Sequence, residues 1–107
     1  MSINNTVIDT INRYGQDVKI YFEEPIKTKA FIEPLRYKHT VYIGGNYRSL
    51  AGKKSNKYLY VGVPEYEIKV GTKLEIQNII YEVVQAELYS VKDEPIYCWA
   101  IMEPVKW

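Results

Sequence analysis

Ile79-Ile80-Tyr81-Glu82-Val83-Val84-Gln85-Ala86-Glu87-Leu88-Tyr89, then Lys92-Asp93-Glu94-Pro95, then Ile96-Tyr97-Cys98-Trp99-Ala100-Ile101-Met102, is the part of the chain that decides its fold class. The first run is the longest β candidate, with Tyr81, Val83 and Val84 near its centre. The four residues after it are turn formers, so a reversal is expected there. The last run, which Pro104 ends, is apolar on both faces. Such a strand is expected to be central in its sheet or covered by a helix.

Moving outward, Lys73-Leu74-Glu75-Ile76 follows Gly71 and leads through a tight turn at Gln77-Asn78 into the long strand. Tyr58–Val63 reads as another strand, stopped by Pro64. Closer to the N-terminus, Val18–Phe22 places Val18, Ile20 and Phe22 on one side. Lys27–Glu33 alternates imperfectly until Pro34. Asn5 or Thr6 can cap a short helix over residues 6–14, with Gly15 as its stop. Its weak apolar stripe comprises Ile8 and Ile11, with Ile3 or Asn4 and Tyr14 or Gly15, and needs tertiary packing to persist. One short helix and six or seven closely spaced strands, with no helices for parallel crossovers, predict a mainly β fold. The expected form is a small antiparallel β-barrel or sandwich with one N-terminal helix and a long basic loop.

That loop, or hairpin, spans residues 34–57. Tyr37–Ile43 can pair with its own far end across Gly44-Gly45-Asn46, and Lys53–Lys57 reads as solvated. From Pro34 to Pro64 there is no acidic residue, while Arg36, Lys38, Arg48, Lys53, Lys54 and Lys57 contribute +6. Against a total of +1, the rest of the chain carries −5. Tyr37, Tyr42, Tyr47, Tyr58 and Tyr60 are interleaved with these charges. A chain divided this way can make complementary contacts between its own copies. Three readings of the stretch stay open. Arg, Lys and Tyr can bind a phosphate backbone and stack on bases; they suit a protein interface equally; or the lysines only solubilise a surface loop. Trp107, beside Lys106, is a further interface candidate, or it folds back onto its own barrel.

A chain of 107 residues with 47% hydrophobic content and eleven tyrosines supports one domain with a modest core. No run approaches the ~18 apolar residues of a membrane span. Met1-Ser2-Ile3-Asn4-Asn5 lacks the pattern of a signal peptide, and one cysteine leaves no internal disulfide, so cytoplasmic synthesis is expected.

Catalytic and metal-binding constellations are not evident. Cys98 and His39, the only residues of their types, lie far apart in the chain, and the acids are dispersed. No metal or other cofactor is therefore expected. A Cys98 nucleophile with His39 as base is formally possible. A small buried hydrophobe is the plainer reading of Cys98. Glu23-Glu24 and Asp93-Glu94 each adjoin a proline and read as solvated turns, and Gly44-Gly45 has no phosphate-loop context. No enzyme is expected. A ligand-binding barrel would need a polar-lined cavity.

Four segments carry a resemblance. Tyr58-Leu59-Tyr60-Val61-Gly62, Gly71-Thr72-Lys73-Leu74, Ile80-Tyr81-Glu82-Val83-Val84 and Tyr97-Cys98-Trp99-Ala100-Ile101 together resemble small neck proteins of tailed bacteriophages and prophage-like elements, of the head–tail joining, stopper or collar type. The resemblance covers roughly residues 18–103. It departs at Thr72, where an acidic residue often follows the glycine in such proteins. It implies a non-catalytic, ring-forming virion protein assembled in the bacterial host cytoplasm, between portal-side and tail-side rings. Its partners would be copies of itself and adjacent neck, portal or tail proteins, with a channel through which DNA could pass and no membrane. The long loop of that family reaches into the channel or clasps an adjacent ring, and 34–57 stands in its place here. The alternative is a nucleic-acid-binding small β-barrel using segment 34–64.

Overall fold

The structure is a computed structural model and describes residues 3–35, 40–43, 46–49 and 56–105. After a helix, α1 (Ile3–Tyr14), come strands β1 (Gln16–Tyr21), β2 (Ile26–Pro34), β3 (Thr40–Ile43), β4 (Asn46–Ser49), β5 (Tyr58–Gly62), β6 (Lys73–Ile76), β7 (Ile79–Val91) and β8 (Glu94–Pro104). Six of them close into an antiparallel barrel in the order β1-β2-β5-β8-β7-β6, and β3 and β4 form a separate two-stranded sheet. Barrel and not sandwich is therefore the architecture.

Closure depends on staggered registers. Ala30 pairs with Gln16 on one side and Gly62 on the other, so β2 uses its first half for β1 and its second half for β5. In β7, Val84 is skipped between Val83↔Met102 and Gln85↔Ile101. Such a bulge bends the strand and increases its local twist, which helps the sheet curl onto itself. The seam is β1 against β6, with Lys19 opposite Glu75 and Ile20 opposite Leu74.

The period of two sends one face of each barrel strand into the lumen. Val18, Ile20, Ala30, Tyr60, Leu74, Ile76, Tyr81, Val83, Cys98, Ala100 and Met102 form that core, joined by Ile68 from the β5–β6 connection. Tyr60 is wholly buried, among positions that are unusually small. Its direct partner on β8 is Ala100, and Ala30, Gly62 and Cys98 pair in the next inward row. A Cβ on Gly62 would fall 2.2 Å from the Tyr60 hydroxyl, so the phenol occupies the space that a side chain at 62 would take.

β8 lies between β5 and β7, and α1 packs against β8 and β2, which meets the expectation for a strand apolar on both faces. The helix begins at Ile3, earlier than a cap at Asn5 or Thr6 would have it. Ile11 is buried, but Tyr14 is 70% exposed and does not extend the apolar stripe. Gly15 does stop the helix, through close approach: its amide donates to the Ile11 carbonyl, and a Cβ there would sit 2.5 Å from that oxygen and 2.9 Å from the Ala30 amide nitrogen.

Several boundaries shift. Phe22 falls beyond β1 and is exposed, and Val63 falls beyond β5 but stays buried. The reversal expected over Lys92–Pro95 is only the two residues Lys92-Asp93, both at positive φ (50° and 66°), as are Gln77-Asn78 (50° and 68°). These left-handed pairs match the right-handed strand twist of two-residue hairpins. Consequently β7 and β8 run two residues further toward each other than expected, and Pro95 lies inside β8. It sits at a register irregularity past the end of β5, where its missing N–H is tolerated.

Candidate interaction surface

In a closed antiparallel barrel, strand direction fixes the end at which each connection emerges. β2 leaves the barrel at one end and β5 re-enters there, with Pro34 opposite Tyr58 and the Leu35 amide donating to the Lys57 carbonyl at 2.9 Å. The basic segment is thus rooted at a single point. The β6–β7 turn lies at that same end, and Gln77 and Asn78 carry no charge. The β1–β2 turn, the β5–β6 connection and the β7–β8 turn all lie at the opposite end. At that end Glu23, Glu24, Glu65, Glu67, Asp93 and Glu94 are exposed to solvent, together with Lys27, Lys69, Lys73 and Lys92. The root of the basic segment and the acidic turns therefore lie at opposite ends of the barrel.

Of the expected contact residues, Arg36, Lys38, Lys53, Lys54 and Trp107 lie outside the described residues, as does His39. Lys57 is half-buried at the root. Tyr42, Tyr47 and Arg48 lie in the β3–β4 ribbon, where the backbone register puts Tyr42 opposite Tyr47 and Val41 opposite Arg48. The hairpin signal around Gly44-Gly45-Asn46 is therefore met by paired strands, in place of an irregular loop. Glu23-Glu24 and Asp93-Glu94 are solvated, as their turn context predicts.

Cys98 is fully buried in the barrel and unpaired with another cysteine. Its thiol is pushed up from 9.0 chiefly by burial, with Glu67 adding to the shift and a backbone hydrogen bond at Ile68 opposing it. That is the reverse of an activated thiolate. Burial, and secondarily Cys98, likewise raises the Tyr60 phenol far above 10.0, and its hydroxyl has no hydrogen-bond partner. Among the described residues no charged side chain is buried, and no group of three His, Cys, Asp or Glu side chains could hold a metal ion. No helix among them is long and apolar enough to cross a membrane.

Other features escaped the sequence reading. At the seam, Tyr21 donates to Glu75 Oε1 at 3.1 Å while Lys19 Nζ lies 5.3 Å from the Tyr21 ring. Next along β1, Asp17 and Lys29 form an exposed ion pair at 2.6 Å, and Lys29 lowers the Asp17 pKa by hydrogen bond and charge. Tyr89 stacks on Tyr97 at 4.9 Å on the part of the β7–β8 hairpin that outruns β5 and β6. A signal for that projection was available: the run from Ile79 to Tyr89 is longer than β5 or β6 can pair with.

Compared with protein-family models the sequence matches none, and compared with curated proteins it again matches none.

Proposed function

We propose that this chain is a structural subunit of a phage or prophage-like neck, of head–tail connector, stopper or collar type, working by ring assembly and docking of adjacent rings. The virion, or a tail-like particle, assembled in the bacterial host cytoplasm, is its place of action. The observation that carries the reading is the axial separation of charge: the segment bearing +6 is rooted at one end of the barrel, and exposed Glu23, Glu24, Asp93 and Glu94 sit at the other. Copies stacked end to end and oriented alike present basic arm to acidic turns, as docking of one ring on the next requires, whereas copies stacked in opposite orientation present like charge to like. Complementarity of this kind sets register and speeds encounter more than it adds affinity. Affinity would come from exposed apolar side chains such as Tyr14, Phe22 and Tyr89.

Reversing Lys53, Lys54 and Lys57 to Glu is the direct test, read by sizing with light scattering. Loss of assembly with an intact barrel supports the reading, and unchanged assembly sinks it. The rival, a nucleic-acid-binding barrel, rests on the tyrosines interleaved with the positive charge. Fluorescence anisotropy with labelled single- and double-stranded DNA separates the two, because tight binding that falls steeply with added salt belongs to the rival.

A further inference from the structure

β7 has an edge that its own barrel does not use. β6 pairs with Ile79–Glu82, and Gly71 and Thr72 bond to Val83. From Gln85 to Val91 the side of β7 away from β8 has no strand partner among the described residues. Gln85, Glu87, Tyr89 and Ser90 are exposed along it. An unpaired edge of this length presents a row of backbone donors and acceptors that another strand can satisfy.

The same chain holds a strand pair in the complementary situation. β3 and β4 are four residues each and form their own sheet, apart from the barrel. An isolated two-stranded ribbon is marginal in water, and a third strand or a packed face is what makes such a ribbon persist.

We infer that the β3–β4 ribbon of one copy adds edge-to-edge to Gln85–Val91 of the next copy, joining the subunits through a shared sheet. Two alternatives fit less well. β7 pairing with β7 of a second copy would bring together two hairpins that each carry Glu87, Asp93 and Glu94 against a single Lys92. A ribbon from the acid-free stretch, with Arg48 in β4, meets that edge with opposite charge. Reach is sufficient, since the five steps from Leu35 to Thr40 span up to about 17 Å when extended. Ribbon and β7 edge are different surfaces of the chain, so the contact propagates around a ring or along a filament unless two copies exchange ribbons reciprocally. The inference rests on the assembly reading and specifies its contact.

Hydrogen exchange on the full chain, at concentrations below and above assembly as followed by light scattering, tests it. In the assembly, alternate amides of Gln85–Val91 and amides of Thr40–Ser49 are expected to slow by about 100-fold or more. A tagged Ser49→Cys chain mixed with an untagged chain bearing Gln85→Cys, Glu87→Cys or Ser90→Cys is expected to give a mixed disulfide in at least one pairing. Assembly without slowed exchange at Gln85–Val91 overturns the edge pairing and leaves the ring reading standing. A chain that stays monomeric at every concentration overturns both.

Discussion

The barrel and the β3–β4 ribbon obey different physics, although both are antiparallel β-structure from one chain. Each barrel strand has two neighbours and an inward row of apolar side chains, so burial stabilises it regardless of what lies outside. Among the described residues the ribbon has one partner per strand, and it sits in the stretch bearing +6 with no acid. The difference teaches where change is tolerated: interior substitutions act on folding, and ribbon substitutions act on association.

The largest way to test that contrast is Tyr60→Ala, which empties the middle of the lumen. It should cost about 4 kcal/mol, measured by urea unfolding. Gly62→Ala is expected to cost about 2 kcal/mol, because its Cβ would meet the Tyr60 ring inside a packed interior. Combining it with Tyr60→Leu should give less than the sum of the single effects, since the clash partner is gone.

Alkaline pH probes the same interior. Folding favours the neutral forms of Cys98 and Tyr60, so the stability they contribute is whole below their ordinary values of 9.0 and 10.0. It declines as pH rises past those values. The slope is at most about 1.4 kcal/mol per pH unit for each group. Tyr60→Phe combined with Cys98→Ala should flatten the decline, and an unchanged profile would contradict the burial of both groups. Tyr60→Phe alone is expected to raise stability by about 1 kcal/mol, because it removes a buried hydroxyl without a partner. In the basic segment that carries the ribbon, Lys53→Glu with Lys54→Glu should shift unfolding by less than about 0.5 kcal/mol while reducing assembly. A large loss of stability in that variant would erase the distinction between the two regions.

Much of the barrel was legible because its signals are local. Lys73–Ile76, the turn at Gln77-Asn78 and the strands centred on Tyr60, Val83 and Ala100 follow from alternation and turn chemistry within a few residues. The ends of β7 and β8 were not. Pro95 read as part of the turn, and only the absence of β5 beside it shows why a proline is tolerated inside β8. Gly62 read as one more residue of the Tyr58–Val63 strand, while its role is to leave room for Tyr60 two residues earlier. The tyrosines at 21, 89 and 97 looked like ordinary strand aromatics, because their partners lie on other strands or depend on register.

By itself the sequence determined that this chain forms short antiparallel strands after one helix, and that its positive charge is concentrated between Pro34 and Pro64. Both are written in neighbouring residues, in period-two alternation and in composition. Tertiary structure alone decided that the sheet closes and that β2 passes from β1 to β5 at Ala30. It also decided that the acidic turns lie at the end opposite the root of the basic arm. Those outcomes depend on strand order and stagger, which arise from packing one filled lumen out of segments distant in the chain.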